Sequence, residues 1–151
     1  MKPMKTLPEA EFLQEVRPEV NTLYKHYNDM IVKFTMASFS TDNHGLSRFF
    51  QKMSREQVVQ RDEIANYLKS LDEPVSNSRS HAENQLESKR LTASIRSMTD
   101  DKSLIEECAG DEKVLLEEVD TIMDRCDQDL EVLLGKHKDI LKMRVAILET
   151  I

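Results

Sequence analysis

The sequence predicts an all-α fold, four helices packed side by side around one core. Three observations carry this. Gly and Pro number only three and four among 151 residues, while Leu, Glu, Lys, Asp and Met abound, a mix that favours long helices over a turn-rich β fold. Four segments carry apolar residues at three- and four-residue steps, the period of a helix with one buried face. Two of the connections between them are short and one is long. A chain of this length suits a single domain with one core.

Residues 1–17 read as an N-terminal extension. The first six are a loose end, and Pro8 opens an acidic and apolar stretch to about Val16 that has room for a helical turn or two. The bundle proper spans 18–151. Pro18 suits the first turn of the first helix, because its missing N–H would be unpaired there anyway. From it Val20, Leu23, Tyr24, Tyr27, Met30, Ile31, Phe34 and Ala37 keep to one stripe, ending near Phe39.

Ser40-Thr41-Asp42-Asn43 offers N-caps for the second helix. Leu46, Phe50, Met53, Gln57, Gln60, Ile64, Tyr67 and Leu71 then alternate steps of four and three, the seam of a bundle helix. A turn this short makes the first two helices antiparallel neighbours.

Pro74 and the polar run around it close the second helix. Residues of about 72–99 form the long connection, with good helix formers but a thin apolar face (Ala82, Leu86, Leu91, Ile95, Met98), so a helical crossover against the bundle is expected. Thr99 is the expected cap of the third helix, with Asp100 and Asp101 near its positive end. Its stripe is Leu104, Ile105, Cys108, Asp111 or Glu112, Leu115, Val119 and Ile122. A second tight turn falls at 125–127. The fourth helix carries Leu130, Leu133, Leu134, His137, Ile140, Leu141, Val145 and Leu148. Two hairpins joined by one long connection give a ferritin-like antiparallel four-helix bundle, since an up-down-up-down bundle would use a short middle loop.

Several stretches resemble an uncharacterised bacterial ferritin-like family, a domain of unknown function. They are Leu23 to Asp29 with Phe34 and Ala37, then Phe49-Phe50 with Gln60-Arg61 and Tyr67-Leu68, and His137-Lys138-Asp139-Ile140 with Arg144. The closest stretch is Asp100 to Glu112. The resemblance covers about 20–145 and implies a ferritin-like bundle without an established activity. Met30-Ile31-Val32-Lys33 departs from a Gly-Glu-Glu-Gly run in that family and removes acidic groups.

Each apolar stripe turns polar near its midpoint, at Tyr27 with His26, at Gln57 with Gln60, at Asp111 with Glu112, and at His137. Side by side, the four interruptions fall at one level, where cofactor-binding bundles hold metals. A di-iron carboxylate centre takes a Glu from each of two helices and Glu-x-x-His from each of the others, the three-residue step putting both ligands on one face. No Glu-x-x-His occurs in this chain. A reduced site of three ligands around one iron or other divalent ion, Glu56 or Glu63 with Glu112 and His137, is the alternative to a layer that hydrogen-bonds within itself. A small-molecule pocket lined by this layer with Tyr24 or Tyr27 is a third reading.

Twenty-eight acidic against 21 basic residues leave a net charge of −7, which argues against a nucleic-acid or anionic-membrane surface. No stretch is long and apolar enough to span a bilayer. Cys108 and Cys126 have neither zinc-site spacing nor the count of a disulfide framework, so a reduced, cytoplasmic setting is expected. His26, His44 and His81 read as solvent-facing. Gly110 and Gly135 fall inside helices, where close packing or a bulge would account for them. No Gly-rich phosphate loop or nucleophile elbow is present. The resulting expectation is a non-enzymatic bundle without cofactor that acts by self-association or partner binding. Phe39 and Phe49, beside the inward seam, would anchor a homodimer. An iron-binding protein or iron-dependent oxidoreductase is the alternative.

Overall fold

The computed structural model describes residues 16–71 and 100–151. The N-terminal extension before Val16 and the crossover of 72–99, with His81 and Thr99, lie outside the described residues. Within them the chain forms four α-helices and no strand: α1 (Arg17–Ser40), α2 (His44–Ser70), α3 (Asp101–Met123) and α4 (Gln128–Thr150).

Their starts follow from local chemistry. Pro18 sits in the first turn of α1, which has no side-chain cap. Asn43 caps α2 by accepting from the Leu46 amide at 3.0 Å, and Asp127 caps α4 by accepting from Leu130 at 2.8 Å. The α3 cap is Asp100 rather than Thr99, its carboxylate accepting from the Ser103 amide at 2.7 Å. An ionised oxygen at that end also meets the positive pole of the helix.

Packing is cyclic, α1 lying against α2 and α3, and α4 against α3 and α2. Cross-helix bonds fix the register. Ser47 Oγ donates to the Ser38 carbonyl at 2.7 Å, Thr35 and Ser54 hydroxyls meet at 2.9 Å, and Arg61 reaches Asn28 at 3.1 Å. Between α1 and α3, Arg125 pairs with Glu19, His26 with Glu118, and Lys33 with Glu107 and Asp111. Lys138 bonds Asp120 at 2.7 Å and Lys113 bonds Glu149 at 3.2 Å, tying α3 to α4.

Apolar residues fill both ends of the core. Val20, Leu23, Leu68, Val119, Ile122, Cys126 and Leu130 occupy one end, and Phe34, Ala37, Leu46, Phe50, Leu104 and Leu148 the other, with Phe34 and Phe50 stacked at 6.4 Å. Each fully buried side chain of this kind contributes roughly 1.5–3 kcal/mol.

The predicted seams hold except at their edges. In α2 the expected Tyr67 and Leu71 are half-buried and Leu68 takes the inner position. A strict heptad seam drifts on a straight 3.6-residue helix, and after Ile64 the next inward residue comes four later. Tyr67 turns to the edge and donates its hydroxyl to Asp127 at 2.5 Å. Tyr24, Ile31, Ile105, Leu133 and Ile140 are likewise half-buried flanks. Neither glycine marks a bulge. A methyl at Gly110 would meet nothing within 4 Å, and one at Gly135 only the end of Met123 at 3.8 Å.

Candidate functional site

Midway along the bundle the core becomes polar. Gln57 and Gln60 from α2, Glu112 from α3, and His137 and Arg144 from α4 are all buried there beside Tyr27 of α1. Each enters on the inward stripe of its helix, so the periodicity that builds the core also delivers these groups to it. Three and four residues separate Gln57 from Gln60 and His137 from Leu141, which places Arg144 one further turn along the same face.

Two hydrogen-bonded sets result. The larger is centred on Arg144. One terminal nitrogen of its guanidinium donates to Gln57 Oε1 at 2.9 Å and to Glu112 Oε1 at 3.0 Å; the other donates to Gln60 Oε1 at 3.2 Å. Its Nε lies 3.6 Å from Glu56 Oε1, and Gln57 Nε2 donates to Gln60 Oε1 at 2.9 Å. The planar fork of arginine suits this many oxygens at once, as a single ammonium would not.

The smaller set is a chain across the diagonal. His137 Nε2 lies 3.1 Å from Glu63 Oε1, and its Nδ1 lies 3.1 Å from the Tyr27 hydroxyl. A carboxylate only accepts, so Nε2 carries the proton and Nδ1 accepts from Tyr27. Burial pulls the His137 imidazole below its ordinary value, partly offset by the Glu63 carboxylate, which keeps the ring neutral. Burial, reinforced by the Glu112 charge, pushes the Tyr27 phenol well above its ordinary range. A neutral imidazole next to a phenol that holds its proton is a fixed bond rather than an activated nucleophile.

Glu112 is fully buried, and burial raises its pKa to about 7 although Arg144 acts to lower it. Its second oxygen, Oε2, and Gln60 Nε2 have no hydrogen-bond partner. One acceptor and one donor therefore flank the guanidinium from opposite helices.

The four residues predicted as ligands are divided between these sets. Glu112 and Glu56 face Arg144, while Glu63 and His137 face each other. Among the described residues no group of three or more His, Cys, Asp and Glu is placed to hold a metal ion. The residues do not fit a di-iron or single-iron centre as they stand, because a fixed positive charge lies on the two carboxylates that would have to converge. Sequence reading chose between Asp111 and Glu112; the structure buries Glu112 and turns Asp111 outward to Lys33.

One member of the site, Arg144, is not among the candidate residues read from the sequence. Arg144 carries a charge on an apolar stripe, where long basic residues usually mark the stripe's edge. Its position, a full heptad after His137, was the available signal. Lys33 lies outside this layer: its stem is buried, but its ammonium pairs with the partly exposed Glu107 and Asp111. Among the expected solvent-facing histidines, His44 is exposed, but His26 is half-buried and holds both oxygens of Glu118 at 2.6 and 2.8 Å.

A groove of about 540 Å³ lies on the outside, between α1 and α3, lined among others by Pro18, His26, Val114 and Glu118. It does not reach the polar layer's residues. No family model, no curated protein and no solved structure matches this chain.

Proposed function

We propose that the chain is a ferritin-like antiparallel bundle that performs no catalysis and acts by protein association, first with a second copy of itself. The observation that carries this is the Arg144 guanidinium on Glu112. The carboxylate best buried for metal chemistry is already neutralised from within, and the nearest imidazole is committed to Tyr27 and Glu63.

The arrangement of contacts supports the ferritin-like topology. Between α1 and α2, rising residues of one helix meet falling residues of the other, as with Ser38 on Ser47 and Asn28 on Arg61. The same reversal links α1 to α3 and α4 to both its neighbours. On that pattern α2 and α3 run the same way, which a long crossover between them would require.

Association is supported by the surface. Phe39 is 77% exposed at the end of α1, whereas Phe49 packs on its own core with its ring 6.2 Å from Phe50. Phe39 is thus the anchor of the two. Among the described residues no helix is long and apolar enough to cross a membrane. Cys108 and Cys126 are buried free thiols, both pushed up by burial to about 12, which keeps them protonated and unreactive. That the two cysteines are free rather than paired is what supports a cytoplasmic setting.

Native mass spectrometry of the full chain after anaerobic Fe(II) loading tests the reading. A metal-free dimer is expected. One iron per chain, lost in His137→Ala and Glu112→Ala, would overturn it in favour of the iron-binding alternative.

A further inference from the structure

We propose that the centre of this bundle is a hard-oxygen cation site whose cation is supplied by Arg144, so that this guanidinium and a divalent metal are alternative occupants of one place. The inference deepens the reading above, on which the wild-type chain takes no metal.

Four oxygens from two helices surround one guanidinium: Gln57 Oε1 and Gln60 Oε1 of α2 and Glu112 Oε1 of α3 accept its hydrogen bonds at 2.9 to 3.2 Å, and Glu56 Oε1 of α2 lies 3.6 Å from Nε, which has no hydrogen-bond partner. All of them belong to helices other than the one that supplies the cation. Remove Arg144, and the partners it leaves behind are two carboxylates and two amide carbonyls, with His137 committed to Tyr27 and Glu63. Such a set selects Mn²⁺, Mg²⁺ or Ca²⁺ over softer ions.

Charge gives the second argument. One guanidinium faces two carboxyl groups, and with both ionised the set carries one net negative charge. Glu112 has no access to water and its Oε2 has no hydrogen-bond partner, so one buried lone pair is left aimed at the cation's surroundings. A buried carboxylate is tolerated only with a counter-cation or a proton. Arg144 meets that requirement permanently, because a guanidinium does not give up its proton.

Arg144→Ser opens the space and leaves the oxygens. Native mass spectrometry and electron paramagnetic resonance with Mn²⁺ should find no ion on the wild-type chain and one per chain on this variant. Adding Glu112→Gln should weaken that binding at least about tenfold, the smallest loss expected when even an outer partner of a metal is removed. If Arg144→Ser does not fold alone, recovery of helical circular dichroism on adding Mn²⁺ supports the proposal. Failure to recover overturns it. A folded Arg144→Ser that takes up no Mn²⁺ also overturns it, as does wild-type Mn²⁺ binding that Glu112→Gln abolishes. Wild-type metal uptake indifferent to Glu112→Gln would end the functional reading above and leave this one standing.

Discussion

Arg144 and Lys33 are both buried cations, 2% and 6% exposed, yet the bundle holds them in different ways. Arg144 lies across the centre, and its nearest carboxylate, Glu112, is fully buried. Lys33 buries only its stem. Its ammonium bonds Glu107 at 2.9 Å and Asp111 still more closely, and both carboxylates are more than a third exposed. Burial acts to lower the Lys33 pKa, but the hydrogen bonds it donates to Asp111 and Glu107 more than offset it. A lysine can slide its charge to the rim and stay solvated in part. An arginine committed to the interior must be met there by oxygens, and here three accept its hydrogen bonds while Glu56 adds an ion pair at 3.6 Å.

That contrast predicts unequal costs. Arg144→Met strands Glu112 without its cation and should lower stability by about 3–5 kcal/mol in urea unfolding. Lys33→Met leaves only partly exposed carboxylates and should cost less than about 1 kcal/mol. Equal losses would erase the distinction.

The pH profile sharpens it. Glu112 titrates at an ordinary 4.5 when unfolded and near 7 when folded. A raised carboxyl pKa gives stability that is complete below 4.5 and is lost as pH rises through 7, at most about 3 kcal/mol in all. His137 works the other way. Its folded pKa lies below the ordinary 6.5, so its contribution is complete above 6.5 and is lost as pH falls through the folded value. In wild type the two slopes oppose each other just below pH 6.5. Glu112→Gln should therefore make stability rise with pH across this window, and His137→Gln should make it fall. Melting curves from pH 4.5 to 8 read both signs, and identical profiles in the two variants would contradict the assignment.

Smaller effects follow at single bonds. Tyr27→Phe removes one neutral hydrogen bond and should cost about 1 kcal/mol. In wild type, nitrogen-15 shifts of the His137 ring should report a protonated Nε2 and a bare Nδ1. Asn43→Ala should also cost about 1 kcal/mol through loss of the α2 cap, with the polar layer undisturbed. Phe39→Ser should change stability by less than about 0.5 kcal/mol while shifting the mass in light scattering from dimer to monomer.

Much of this architecture is legible in the sequence, for particular reasons. The four stripes name Leu23, Phe34, Phe50, Ile64, Leu115 and Leu141 because burial of one helix face imposes a period that chance rarely sustains. The polar layer is legible too, since Tyr27, Gln57, Gln60 and His137 interrupt those stripes at matching depth. Its wiring is not. Hydrogen-bond partners depend on side-chain direction across the core, which no local pattern encodes. Glu56 or Glu63 with Glu112 and His137 reads as one ligand set, and only in three dimensions do Glu56 and Glu112 go to a guanidinium while Glu63 and His137 pair with each other. Arg144 is illegible for a related reason. A long basic side chain on a stripe points outward or inward according to what faces it, and here the answer comes from α2 and α3.

A double-mutant cycle joining Arg144→Met and Glu112→Gln measures directly whether these two groups neutralise each other inside the core. The account predicts a coupling energy above about 2 kcal/mol, with Glu112→Gln recovering part of what Arg144→Met loses. Additive costs, within about 0.5 kcal/mol, would contradict it.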